Sequence, residues 1–144
     1  MRLDLTDTVQ AAKDRRGTRR KRFRLAGIPL EHEEQASLIS WCFAAQKLIP
    51  ELSMLFAIPN QGAARLKNLQ TEGVMKGVPD LFLAVARGQY HGLFIELKRR
   101  KGGKVSFEQT QWLNELTIQG YLAVVSYGWD EAKGTILRYL GARE

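Results

Sequence analysis

The chain has 144 residues and a net charge of +7, with an isoelectric point near 9.8. That length suits one domain with an apolar core. One cysteine, Cys42, excludes a disulfide framework and a cysteine-based zinc site, 2 histidines argue against a His-rich metal centre, and no apolar run approaches membrane-spanning length.

The charge is unevenly placed and points to a polyanionic partner. Residues 1–28 carry 9 Lys/Arg against 3 Asp, and residues 29–144 carry 13 against 12. Arg15 to Arg24 packs seven positive charges into ten residues. Such a block repels itself and stays extended until it meets phosphate, or else it is a solvated tail. We therefore expect a basic arm over 1–28 and a folded domain over 29–144. The N-terminus lacks the apolar core of a secretory signal, so a cytoplasmic location is expected.

A helix is predicted from about Leu30 to Leu48, stopped by Pro50, with Leu38, Cys42, Ala45 and Ile49 in one stripe. At about 100° per residue Glu31 falls on the stripe's centre line, with Gln35 one turn on, and Glu34 falls on its edge. An acid aimed along a buried face is costly unless paired or metal-bound. A bland alternative is that Glu31 favours the positive end of the helix dipole.

Ser53 to Ile58 reads as a short buried strand, closed by Pro59-Asn60-Gln61-Gly62. Ala63 to Thr71 suits a helix carrying Arg65 and Lys67 and capped by Gly73. Lys76 and Gly77 lead into Pro79. There a glycine serves turn chemistry or close approach to phosphate.

Asp80 to Ala86 and Gly92 to Lys98 read as two strands joined by the turn Arg87 to His91. An antiparallel hairpin centred on Gln89 puts Leu81, Leu83 and Val85 opposite Leu97, Ile95 and Leu93, a wholly aliphatic face. The other face carries Asp80 opposite Lys98 and Phe82 opposite Glu96. Asp80 and Glu96 are then diagonal neighbours, roughly 7–8 Å apart at the backbone, within reach of one ion. Both faces are apolar except at this rim.

The basic loop Arg99-Arg100-Lys101-Gly102-Gly103-Lys104 follows the rim and is expected to meet phosphate. Ser106-Phe107-Glu108-Gln109 opens a helix with a capping-box pattern, closed by Gly120. Gln109 either caps that helix or faces the rim. Tyr121 to Tyr127 is a fourth strand, broken by Gly128, and Trp129 to about Leu140 is a last helix with Asp130 and Glu131 in its first turn. Helices on both sides of a mixed sheet make an α/β sandwich.

Two carboxylates beside an ammonium group suit phosphodiester hydrolysis. A hard cation takes carboxylate oxygens, lowers the pKa of a water and polarises the phosphoryl oxygen. Asp80 and Glu96 supply those oxygens, and the Leu97 carbonyl adds another. Lys98 orients or deprotonates the water, or stabilises charge on phosphorus. The plainer reading is an Asp80–Lys98 cross-strand salt bridge with Glu96 at a surface end.

Pro79-Asp80, a hydrophobic hairpin and Glu96-Leu97-Lys98 resemble the PD-(D/E)XK nuclease signature. Glu31-His32-Glu33-Glu34-Gln35, Pro59-Asn60, Lys76 to Leu81, Phe94 to Lys98 and Ser106 to Gln109 follow one another as in its VRR-NUC (virus-type replication-repair nuclease) branch. The similarity covers about residues 29–140 and leaves out the arm. The resemblance implies a restriction-endonuclease-like αβα sandwich with a central mixed sheet. It implies Mg²⁺ or Mn²⁺ held by Asp80, Glu96 and a helix-one acid, Glu31 ahead of Glu34, with Lys98 as catalytic lysine and Gln109 as a further site residue. Members of this size resemble phage and prophage proteins of DNA repair, homodimers similar to Holliday-junction resolvases that act on branched DNA. The expectation is a structure-selective DNA endonuclease, with Arg65, Lys67, Lys76, Arg99, Arg100, Lys101 and Lys104 on the DNA. The alternatives are a non-catalytic basic nucleic-acid-binding module, and a nuclease of restriction or single-strand exonuclease specificity.

Overall fold

The computed structural model describes residues 27–59 and 70–142. Nearly all of the expected arm, and Arg65 and Lys67 with most of their predicted helix, lie outside the described residues. Three α-helices are described: α1 (Glu31–Ala45), α2 (Phe107–Ile118) and α3 (Trp129–Leu140). Four strands, β1 (Leu55–Ala57), β2 (Leu81–Leu83), β3 (Leu93–Lys98) and β4 (Leu122–Tyr127), form one sheet in the order β1-β2-β3-β4. The β1–β2 and β2–β3 pairs are antiparallel and β3–β4 is parallel.

Alternation along the strands sorts side chains by face. Leu81, Leu83, Leu93, Ile95 and Leu97 are fully buried and pack with Leu38 and Cys42 of α1 and Ala132 and Ile136 of α3. The opposite face holds an aromatic cluster. Phe82 and Phe94 stack with centroids 4.2 Å apart, and Tyr121 meets Phe94 edge-on at 5.2 Å. Helix α2 packs on β4. The layers are helix, mixed sheet and helix, an αβα sandwich.

Ser106 caps α2 as its pattern predicts, its hydroxyl accepting from the Gln109 amide at 3.2 Å. Other boundaries move. Helix α1 ends at Ala45, and Pro50 begins a 3-10 turn, Pro50–Met54, rather than merely stopping a helix. Proline's fixed φ suits a first helical position. The strand expected over 53–58 therefore shrinks to Leu55–Ala57, an edge strand whose Phe56 and Ala57 are exposed.

The hairpin register is displaced by two residues from the symmetric expectation. Leu81 faces Ile95, and Leu83 faces Leu93. At the tip Arg87 bridges Tyr90. The arms from tip to ladder are unequal, with Ala84, Val85 and Ala86 on one side and only His91 and Gly92 on the other. A slip of two keeps every side chain on its face, so the aliphatic face survives. One step beyond the ladder, Asp80 now stands across from Glu96 rather than from Lys98.

Candidate active site

The β2–β3 hairpin delivers Asp80, Glu96 and Lys98, α1 delivers Glu31 and α2 delivers Gln109. Period-two spacing puts Glu96 and Lys98 on the same face of β3. Pro79 is buried, and Asp80 follows it immediately before β2. The approach to Asp80 depends on Gly77, at φ +89°. A Cβ there would sit 2.8 Å from the Glu108 backbone carbonyl carbon. Only glycine accepts both that φ and that proximity, so Gly77 lets the Asp80 loop lie against the start of α2.

Glu31, Asp80 and Glu96 each offer a carboxylate oxygen, all within 4.8 Å of one another. Asp80 Oδ2 accepts from the Leu97 backbone amide at 2.8 Å, which puts the Leu97 peptide beside the acids while its side chain joins the core. Lys98 Nζ donates to Glu96 Oε1 and lies 3.4 Å from Glu31 Oε1. Gln109 combines the two roles weighed for it. Its Oε1 accepts from the Ser106 amide at 2.8 Å, and its Nε2 donates to Glu96 Oε1.

Electrostatics distinguishes this cluster from a satisfied salt bridge. Burial, then repulsion from Asp80, pushes the Glu96 carboxyl up to about 7 against the pull of Lys98. Burial raises the Asp80 carboxyl as well, against the Leu97 amide and Lys98. For Lys98, burial alone would lower the ammonium, but contact with Glu96 and the charges of Glu31 and Asp80 outweigh it and raise the pKa. Glu96 Oε2 is buried and receives no donor. A buried acceptor without a partner is rare and costly. Asp80 raises the cost of ionising Glu96, and Glu31 raises it for both, so the two carboxyls titrate as a pair rather than singly. Three converging hard oxygen donors with one unspent buried oxygen fit a divalent cation.

Glu34 is not part of this cluster. It is fully buried, and both of its oxygens are taken: Oε1 accepts from Arg100 Nε at 3.1 Å and Oε2 from the Trp129 amide at 2.9 Å. The helical projection that put Glu34 on the edge of the buried stripe is corrected. Glu34, Leu38 and Cys42 are its buried residues, and Glu31 lies at the open end with 46% of its side chain exposed. Leu38 and Cys42 are four and eight residues after Glu34, a spacing that was available as the signal.

The basic residues divide. Lys101 and Lys104 are exposed. Arg99 is half-buried, with its guanidinium 3.5 Å from the Gly102 carbonyl. Lys76 is exposed and paired with Glu108. Arg100 is partly solvated, but its guanidinium is engaged by Glu34 and by Asp130 at 2.9 Å. Beside Asp80 a cavity of about 580 Å³ opens between α1 and β1, lined by His32, Gln35, Ile58 and Pro59 among others. Sequence reasoning assigned nothing to His32.

The chain resembles known proteins over most of its length. A structure described as a VRR_NUC domain protein superposes with a TM-score of 0.68 at 28% identity, covering 81% of this chain and 92% of that one. No curated protein matches. The VRR-NUC domain profile matches residues 24–130, and the chain belongs to the VRR-NUC family of nucleases.

Proposed function

We propose that the protein is a Mg²⁺- or Mn²⁺-dependent, structure-selective DNA endonuclease acting on branched DNA. The observation that carries this reading is the three-carboxylate cluster with the partnerless Glu96 Oε2. Glu31, Asp80 and Glu96 would hold the cation, with the Leu97 carbonyl as a further oxygen. Bound there, it would supply Lewis-acid neutralisation and an acidified water. Lys98, held between Glu96 and Glu31, orients the nucleophile and stabilises charge developing on phosphorus. Gln109 fixes the Glu96 carboxylate, since its own amide is fixed by Ser106. In-line attack leaves a 5′-phosphate and a 3′-hydroxyl.

Lys76, Arg99, Lys101 and Lys104 would take the phosphates flanking the cut, together with Arg65, Lys67 and the arm over 1–28, which precedes the nuclease domain over 29–144. Phosphate contacts position DNA without specifying sequence. Selectivity for branch points then comes from shape, with two sites of a homodimer on opposing strands. A phage or prophage source, with work in the host cytoplasm, belongs to the same reading.

The test offers purified full chain with Mn²⁺ to flaps, forks, four-way junctions, single strands, and blunt and circular duplexes. Preferential cutting of branched substrates supports the reading, and all substrates left whole sinks it. Equal cutting of plain duplex or single strands transfers the protein to a restriction or exonuclease specificity. Sedimentation at micromolar concentration checks the dimer.

A further inference from the structure

The cluster's weakest point is Glu31. It is the only one of the three acids that does not come from the hairpin, and its side chain is nearly half exposed, with Lys98 3.4 Å away. Its distance from Asp80 and Glu96 therefore depends on where α1 stands against β3. One helical turn later, Glu34 answers that need.

Resting on the nuclease reading above, we infer that Glu34, Arg100 and Asp130 form a positioning clamp that holds Glu31 against Glu96 and Lys98 and so assembles the cation site. Three segments meet in it: the first turns of α1, the loop leaving β3 and the first turn of α3. Glu34 is spent on Arg100 Nε and the Trp129 amide. The terminal nitrogens of the same guanidinium reach Asp130, at 3.2 Å to Oδ2 and 2.9 Å to Oδ1. A guanidinium's fixed fork can serve two carboxylates at once, and an ammonium cannot reproduce that geometry.

Both ends of the clamp are tied to residues of the site. Arg100 is two residues past Lys98, and the Lys98 carbonyl accepts from the Gly128 amide at 2.8 Å. Gly128, at φ +95°, lies so close that a Cβ would stand 2.9 Å from both Arg100 Cγ and Asp130 Oδ1. The chain therefore passes beneath the clamp only as glycine. A buried ion pair is weak evidence for a stabilising role. This one joins the segment carrying Glu31 to the segment carrying Lys98.

The experiment measures Mn²⁺ affinity by titration calorimetry on the full chain, beside kcat and KM on a cleavable DNA. Arg100→Lys and Glu34→Gln are expected to weaken Mn²⁺ binding about tenfold or more, the usual cost of losing a group that orients a ligand. They should lower kcat and leave KM for DNA near wild type. Asp130→Asn, an exposed position that tolerates change, should move in the same direction by less. Leu137→Ala, a core lesion of α3, should lower the melting temperature and leave Mn²⁺ affinity alone. If Glu34→Gln does not fold, Arg100→Lys and Asp130→Asn decide. Folded variants with wild-type Mn²⁺ affinity and kcat overturn the clamp. So does a rise in KM with Mn²⁺ affinity intact, which would return Arg100 to phosphate contact. A wild-type protein that neither binds Mn²⁺ nor cuts DNA overturns the nuclease reading itself, and the clamp with it.

Discussion

Among the described residues two glutamates are fully buried, and each meets a basic side chain, but they are left in opposite conditions. Glu34 has a partner on each oxygen, from Arg100 and the Trp129 amide. Glu96 has two donors, Lys98 and Gln109, crowded onto Oε1, and none on Oε2, while Asp80 presses on it from across the strand. A buried carboxylate with both oxygens satisfied is part of the frame. One left short of donors and repelled by a neighbour gains from a proton or a cation. Burial alone would rank the two residues equally, and the tally of donors separates them.

The largest effect should fall on turnover. Lys98→Ala should lower kcat by about 10²- to 10⁴-fold in single-turnover cleavage while DNA binding persists. Full activity would break the assignment of Glu96's partner. Asp80→Ala and Glu96→Ala should lose cleavage too and weaken Mn²⁺ binding in calorimetry.

Stability should sort the two glutamates in reverse order. Glu34→Ala strips a buried pair of one partner and should cost about 3 kcal/mol in urea unfolding, the low end for such a loss because Arg100 is partly solvated. Glu96→Gln removes a charge that Asp80 repels. Without metal it should cost less stability than Glu34→Ala, because the relief from Asp80 offsets what Lys98 loses. A Glu96→Gln protein less stable than Glu34→Ala would erase the contrast.

The response to pH sharpens it further. The folded Glu96 pKa of about 7 lies above the ordinary glutamate value of 4.5. The proton it holds when folded therefore contributes stability below about pH 4.5, and that contribution is lost as pH rises through 7. A cation replaces that proton. The rise in melting temperature on adding Mn²⁺ should thus be larger at pH 8 than at pH 6, and equal rises would contradict the assignment. The smallest effect belongs to an ion pair on the surface. Arg87→Ala, which releases Glu51, should change unfolding free energy by less than about 1 kcal/mol.

Much of the frame was legible before any coordinates. The capping pattern at Ser106 announced α2, and Trp129 to Leu140 matches α3. Period-two spacing put Glu96 and Lys98 on one face, and a slip of two in the hairpin could not undo that. The slip itself was invisible, because it arises from unequal arms between the Arg87–Tyr90 bridge and the ladder. Glu34 was misread for a related reason. A helical projection reports which residues share a side of α1, not which side the sheet and α3 cover.

What the amino-acid order determined alone was local: the alternation of strands, helix starts, the concentration of charge before residue 29, and the placing of Asp80, Glu96 and Lys98 at one rim. These follow from backbone periods and from chemistry within a few residues. Tertiary packing decided which acid of α1 joins that rim and which is clamped. Glu34 meets Arg100 across 66 residues and the Trp129 amide across 95. No repeat of 3.6 or 2 reaches that far. Such pairs exist only once the sheet has brought α1, the end of β3 and the start of α3 together.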